Sequence, residues 1–181
     1  MSPRAIIVVD LQNEYLATGK LPLVGLDQAL SNAQRIIAAT RAKEKLLIHV
    51  RHEMKQTNAP VFVPGSDGVQ IIAAVAPLAG EPLVIKNYPN SFRDTPLKQI
   101  LDAQGVKEVV VIGAMSHMCI EATTRAAADF GFSVTVVHDA CATKDLEFDG
   151  TKVPAAQVHA ASMAALAFSY ATVTTTDAYL D

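Results

Sequence analysis

Three side chains of different chemistry occupy matching places in the sequence. Asp10 follows the apolar run AIIVV (5–9), and Lys86 follows PLVI (82–85). Cys119 lies just beyond EVVVI (108–112), within GAMSHMCIEATTRAA (113–127). A thiol attacks as its thiolate, so it needs a group to take its proton and a cation to offset the charge that remains. A carboxylate and an ammonium are those groups. Each residue also has a plain structural reading. Free cysteines are mostly small buried hydrophobes, aspartates cap loops at strand ends, and lysines snorkel at sheet edges. One such residue decides nothing, but three, each after an apolar run, point to a shared site. A thiol in the first turn of a helix over 119–131 would face the positive end of the helix dipole, which lowers its pKa from the free value of about 8.5. The same N–H groups would suit a tetrahedral oxyanion. Asp10, ending a buried strand, is expected to have a raised pKa and to move a proton near neutral pH.

The elements that must position these groups are legible from periodicity. The runs at 5–9, 46–50, 82–85, 108–112, 133–137 and 171–175 are short, β-branched and apolar without alternation, as in strands buried on both faces of a parallel sheet. Between them, 26–44, 95–105, 119–131 and the alanine-rich 153–170 read as helices. Thr95 is the expected N-cap of the second, with Pro96 in its first turn and Gly105 as its stop. Residues 52–73 read mostly as loop, with a short helix near Val69. Strands alternating with helices give an α/β fold with helices on both faces of a parallel sheet. Ligands then bind at the carboxyl ends of the strands, which is where Asp10, Lys86 and Cys119 fall.

Composition narrows the function classes. The chain of 181 residues has a net charge of -3 and half of its residues are hydrophobic. It is read as one domain, 1–181. The charge is not that of a nucleic-acid binder, and no apolar run reaches the roughly 18 residues of a membrane span. The start of the sequence lacks the pattern of a signal peptide. Two cysteines, Cys119 and Cys141, are too few for a disulfide framework, so a reducing cytoplasm is the expected location. DLQNEYLATG has no glycine before Gly19, which argues against a dinucleotide-binding turn. A redox sensor would have to pair Cys119 with Cys141, without a C-x-x-C motif.

His49, inside a strand run, reads as a core residue, His159 as a helix-face residue, and His52 and His117 as candidates to line a pocket. On a strand, His49 and His52 point to opposite faces and chelate poorly. Tyr88, Phe92, Met115, His117 and Met118 flank the three reactive groups and are candidate substrate contacts, with Gln12 and Ala114. Arg51 or His52 would be the group to hold a substrate carboxylate, and Arg125 reads as a structural ion-pair partner.

VVDLQNEY, VIKNYPNSF and GAMSHMCIEATTRAA, in this order, resemble the isochorismatase-like cysteine hydrolases, a family that includes nicotinamidases and N-carbamoylsarcosine amidohydrolase. GSDGVQIIAAVAP, TPLKQILDAQGVKEVVVIGA and FSVTVVHDACAT extend the likeness over essentially the whole chain. The resemblance implies a three-layer α/β/α sandwich with a six-stranded parallel sheet of order 3-2-1-4-5-6. It implies a triad of Cys119, Asp10 and Lys86, a cis peptide at Ala114–Met115, and an oxyanion hole from the N–H groups of Met115 and Cys119. It also implies a homo-oligomer, dimer or tetramer. The implied activity is hydrolysis of a small amide or carbamoyl compound, a small-molecule partner with no nucleic acid or membrane. Nicotinamidases hold a metal with an Asp-x-His pair and a further histidine. RHEMKQTNAPVF (51–62) offers His52 and Glu53 alone, so no metal and no cofactor is expected. Members that act on isochorismate lack the cysteine, so its presence favours C–N over vinyl-ether cleavage. Glu14 stands where many members have aspartate. Residues 52–70 and 142–153 are expected to form the lid, and the alternatives are a same-family hydrolase of different, isochorismatase-type bond specificity and a non-catalytic or redox-sensing protein using Cys119.

Overall fold

The computed structural model describes residues 3–181. Strands β1 (Arg4–Val9), β2 (Leu46–His52), β3 (Leu83–Lys86), β4 (Glu108–Ala114) and β5 (Ser133–Ala142) join one parallel sheet. β6 (Leu146–Phe148) and β7 (Thr151–Val153) form a separate antiparallel hairpin, and β8 (Thr172–Thr174) closes the sheet beside β5. The six-stranded order is β3-β2-β1-β4-β5-β8. It is the expected order, with the last strand numbered eighth because the hairpin comes before it in the chain. The hairpin occupies much of the segment read as a lid loop.

The absence of alternation in the strand runs has a direct cause. In β1, Ala5, Ile7 and Val9 face one core and Ile6 and Val8 face another, and all are buried. The first core is closed by α2 (Leu97–Ala103), α3 (Glu121–Asp129) and α4 (Ala155–Ser169), through Leu97, Leu101, Ala127, Met163 and Leu166. The second is closed by α1 (Leu26–Ala42), whose Leu26, Ala29, Leu30, Ala33, Ile36 and Ile37 fall at helical spacing. α5 (Thr176–Leu180) packs beside α1. Burying both faces costs nothing in stranded polar groups because the parallel ladder pairs the main chain.

Several boundaries differ from the sequence reading. α2 begins at Leu97, and the Thr95 hydroxyl accepts from the Leu97 N–H at 3.3 Å. The expected short helix near Val69 is instead a 3-10 turn at Ala73–Val75. β5 runs on to Ala142, five residues past the apolar run: beyond a register shift between Val111 and Gly113 of β4, Cys141 and Ala142 pair with Gly113 and Ala114. Gly113 takes φ 128, and a Cβ there would run into the Val9 carbonyl. Only glycine lets β4 bend against β1 and deliver the chain into 114–119.

Candidate active site

Asp10, Lys86 and Cys119 meet beyond the carboxyl ends of β1, β3 and β4. Their relative exposures are 0%, 1% and 6%, so the cluster is shielded from bulk water. Asp10 leaves β1 with its N–H on the Val50 carbonyl, then turns at φ 53, a conformation that aspartate tolerates better than most residues. Lys86 ends β3 and is paired across the ladder with His52 at the end of β2. Cys119 does not sit in the first turn of an α-helix. It lies in a π-turn, Ser116–Ile120, between β4 and α3, entered through a cis Ala114–Met115 peptide.

The Lys86 ammonium is the centre of the cluster. It donates to His52 Nδ1 at 3.0 Å, to the Tyr88 carbonyl at 3.1 Å and to Cys119 Sγ at 3.2 Å. Asp10 Oδ2 lies 2.7 Å away as an ion pair, but not aligned for a hydrogen bond, and both Asp10 oxygens are buried without one. Burial pulls the Lys86 pKa down, yet its interactions with Asp10, and then Cys119, outweigh it and the net shift is upward. Lys86 is therefore a fixed cation. The Cys119 thiol is pushed up, first by burial and then by Asp10, against a smaller pull from Lys86. This reverses the expectation of a lowered thiol pKa: desolvation and a neighbouring carboxylate outweigh the pull of Lys86. Cys119 thus rests as a neutral thiol beside a carboxylate whose oxygens have no hydrogen-bond partner.

Asp10, His52 and Cys119 bring ligand atoms within 4.8 Å of one another, the one such grouping among the described residues. The Lys86 ammonium already touches all three, so a cation of the chain's own occupies their common neighbourhood.

The remaining candidates divide. Ala114 and Met115 lie at the cis peptide, with Ala114 buried and Met115 partly so. Met118 is 40% exposed. His117 hydrogen-bonds Thr143 Oγ1 at 2.7 Å. Tyr88 gives its carbonyl to Lys86, while its ring lies under the Arg93 guanidinium at 3.7 Å. Phe92 is a core residue against Phe130 and Phe132. Gln12 uses its whole amide on the main chain: Nε2 donates to the carbonyls of His52 and Val69, and Oε1 accepts from the His52 N–H. It clamps the end of β2. Arg51 pairs with Glu53 and donates to Gln70, and Arg125 pairs with Glu121.

His49 and His52 do face opposite sides of the sheet. His49 meets Glu81, itself bound by Arg41 and held down to a pKa of about 2 mainly by that guanidinium. Cys141 keeps its S–H on the Val137 carbonyl at 3.4 Å. His159, read as a helix-face residue, hydrogen-bonds Ser116 Oγ at 2.8 Å and so ties α4 to the π-turn that carries Cys119.

Two neighbours escaped the sequence reading. Tyr15 is 2% exposed, and burial, then Asp10, Cys119 and Glu14, raise its phenol pKa. Phe62 packs edge-on against both Tyr15 and His52, at ring separations of 5.4 and 5.2 Å. Its φ of 52 is unusual for a bulky residue. An aromatic in the DLQNEY motif signalled Tyr15, but nothing in APVF marked Phe62.

Residues 4–178 match the Isochorismatase domain. The chain is 44% identical, over 97% of its length and 98% of the relative's, to the uncharacterized isochorismatase family protein YddQ of Bacillus subtilis. The crystal structure of an isochorismatase from Pseudomonas putida KT2440 superposes with a TM-score of 0.92 at 38% identity, covering 97% of this chain and 89% of that one. Maleamate amidohydrolase of Pseudomonas putida is 31% identical over 75% of this chain and 70% of its own. By sequence and by fold, the chain belongs to the isochorismatase family of hydrolases.

Proposed function

We propose that the protein is a cysteine amidohydrolase that cleaves the C–N bond of a small amide or carbamoyl compound through a thioester on Cys119. The observation that carries this reading is the buried cluster itself: a neutral thiol, a carboxylate whose oxygens have no hydrogen-bond partner, and an ammonium 3.2 Å from the sulfur. The likeness to maleamate amidohydrolase supports the bond type.

Asp10 takes the Cys119 proton as the sulfur attacks the carbonyl carbon, and Lys86 offsets the charge left on sulfur. The carbonyl oxygen becomes an oxyanion, received by the N–H groups of Met115 and Cys119. Asp10 passes its proton to the leaving nitrogen, the C–N bond breaks, and the amine or ammonia departs. Water then attacks the thioester, Asp10 takes a proton from it, and the acid leaves with the thiol restored. Burial serves this sequence, because an ammonium and a carboxylate act more strongly on developing charge where water is excluded. Met118, His117 and Tyr88 are the substrate contacts that remain outside the core. Ammonia release across primary amides, carbamoyl compounds and ureido acids tests the reading. One or a few compounds should yield ammonia, and a folded protein silent on all of them, with Cys119 inert to alkylation, would remove it.

The same reading includes a homo-oligomer. α4 is rich in alanine, and its exposed residues include Ala156, Ala160, Ala161, Ala164, Ala165 and an 89% exposed Phe168, interrupted by Gln157 and Ser169 but with no charged side chain. A second copy would bury this face. Ala161→Glu is expected to shift the sedimenting mass toward the monomer; an unchanged mass for a wild-type oligomer would place the contact elsewhere.

A further inference from the structure

An ammonium has three hydrogens, and where they point is decided by its acceptors. In Lys86 two of the three go to groups that take no part in the chemistry proposed above: His52 Nδ1 at 3.0 Å and the Tyr88 carbonyl at 3.1 Å. With those two fixed, the third falls on Cys119 Sγ. Asp10 is left in ionic contact, its oxygens unoccupied. The arrangement resolves a conflict built into the site. Asp10 is closer to Lys86 than the sulfur is, and without other acceptors the ammonium would turn onto the carboxylate and weaken it as a base.

We propose that His52 is a positioning residue, whose neutral ring accepts from Lys86 and directs the remaining N–H of the ammonium onto the Cys119 sulfur. This rests on the reading of Cys119 as nucleophile. Three features of the structure hold His52 to that task. Its own peptide is gripped at both ends by Gln12, N–H to Oε1 at 2.8 Å and carbonyl from Nε2 at 2.9 Å. Its strand register sets it directly beside Lys86. Its ring is wedged by the edge of Phe62, itself held at φ 52. Gln12 comes two residues after Asp10, so one short segment supplies the base and locks the group that aims the cation.

The tautomer follows. A ring that accepts through Nδ1 carries its hydrogen on Nε2. Protonation of His52 would remove the acceptor and place a second cation against Lys86. The groups that face it are Lys86 from β3, Asp10 from the end of β1 and Cys119 from the π-turn, with the uncharged Phe62 opposite. Burial and then Lys86 lower the His52 pKa, against a smaller opposing effect of Asp10, so the ring stays neutral to below the ordinary value of 6.5.

The test uses alkylation of Cys119 by iodoacetamide, located by peptide mass, which needs no substrate. His52→Leu is expected to slow alkylation at pH 7 by about tenfold or more, the cost of a misdirected charged hydrogen bond. His52→Asn, whose amide oxygen can replace Nδ1 as acceptor, should recover most of the rate and lose the acid limb that wild type shows below pH 6.5. Equal rates and pH profiles for His52→Leu and wild type would overturn the proposal. So would an acid limb that persists unchanged in His52→Asn, which would assign it to another group. Nitrogen-15 shifts of the wild-type imidazole give a check free of mutation: an unprotonated Nδ1 is expected, and a protonated Nδ1 at neutral pH would refute the role. If the amide panel is silent while these results hold, the amidohydrolase reading fails and the positioning role stands.

Discussion

Cys119→Ala is expected to cut turnover by about 10⁴-fold or more, the scale of losing a nucleophile on which both half-reactions depend. No second thiol can substitute, because Cys141 is buried and holds its S–H on the Val137 carbonyl. The fold should survive. Removing one sulfur from a site with 6% exposure leaves a small cavity and one Lys86 N–H without its acceptor. Together these should cost about 1–2 kcal/mol, a drop of a few degrees in melting temperature for a chain of this size. A melting curve beside the rate measurement separates lost chemistry from lost structure.

The largest effect on stability is expected at Lys86. Lys86→Met leaves the Asp10 carboxylate at 0% exposure, with no other cation within ion-pair distance among the described residues. Breaking a buried pair from one side costs about 3–5 kcal/mol, a large part of the roughly 5–15 kcal/mol that holds a domain together. The double variant Asp10→Asn/Lys86→Met removes both charges and should regain most of that loss while staying inactive. Urea unfolding of the three variants measures the coupling. Stability of the double variant no better than that of Lys86→Met would mean that the buried charge on Asp10 is not what the single substitution exposes. The pH dependence has a definite sign. The Lys86 pKa is raised in the folded protein, so its contribution is complete below the ordinary lysine value of 10.5 and is lost only as pH rises through the higher folded value. At neutral pH the full penalty should appear.

These two predictions rest on residues that the sequence exposed, and the reason is physical. Strands buried on both faces must be apolar throughout, so a polar residue at the end of such a run stands out. Asp10 ends such a run; Lys86 ends β3, which proves to be an edge strand with Leu83 and Ile85 exposed, so its run is apolar without being buried on both faces; Cys119 follows the bend that Gly113 permits. The strands and the four long helices were legible from periodicity, whereas the sheet order came from the family resemblance and α5 (Thr176–Leu180) was not read at all. What the sequence hid was local and non-periodic. The π-turn around Cys119 has the composition of an α-helix start, and the helix-dipole argument gave the wrong direction for its thiol because burial and Asp10 outweigh the pull of Lys86. The second half of β5, HDACA, is interrupted by His138 and Asp139 and resumes pairing beyond a register shift, with Ala140, Cys141 and Ala142 buried again, a pattern too short and broken to read as strand. Gln12 looked like a substrate contact because it is polar and near Asp10; only coordinates show its amide fully used by the main chain of His52 and Val69. The approach of Phe62 to His52 and Tyr15 depends on a loop conformation that no residue pattern encodes.

The central claim is a covalent bond between substrate and Cys119. Its most direct measurement is acid-quench peptide mass spectrometry of the wild-type protein during turnover of the compound that releases most ammonia. The expected result is an acyl mass on the peptide that contains Cys119, appearing before steady state and disappearing as substrate is exhausted. Ammonia release with no adduct at Cys119, and with undiminished rate in Cys119→Ala, would contradict the account.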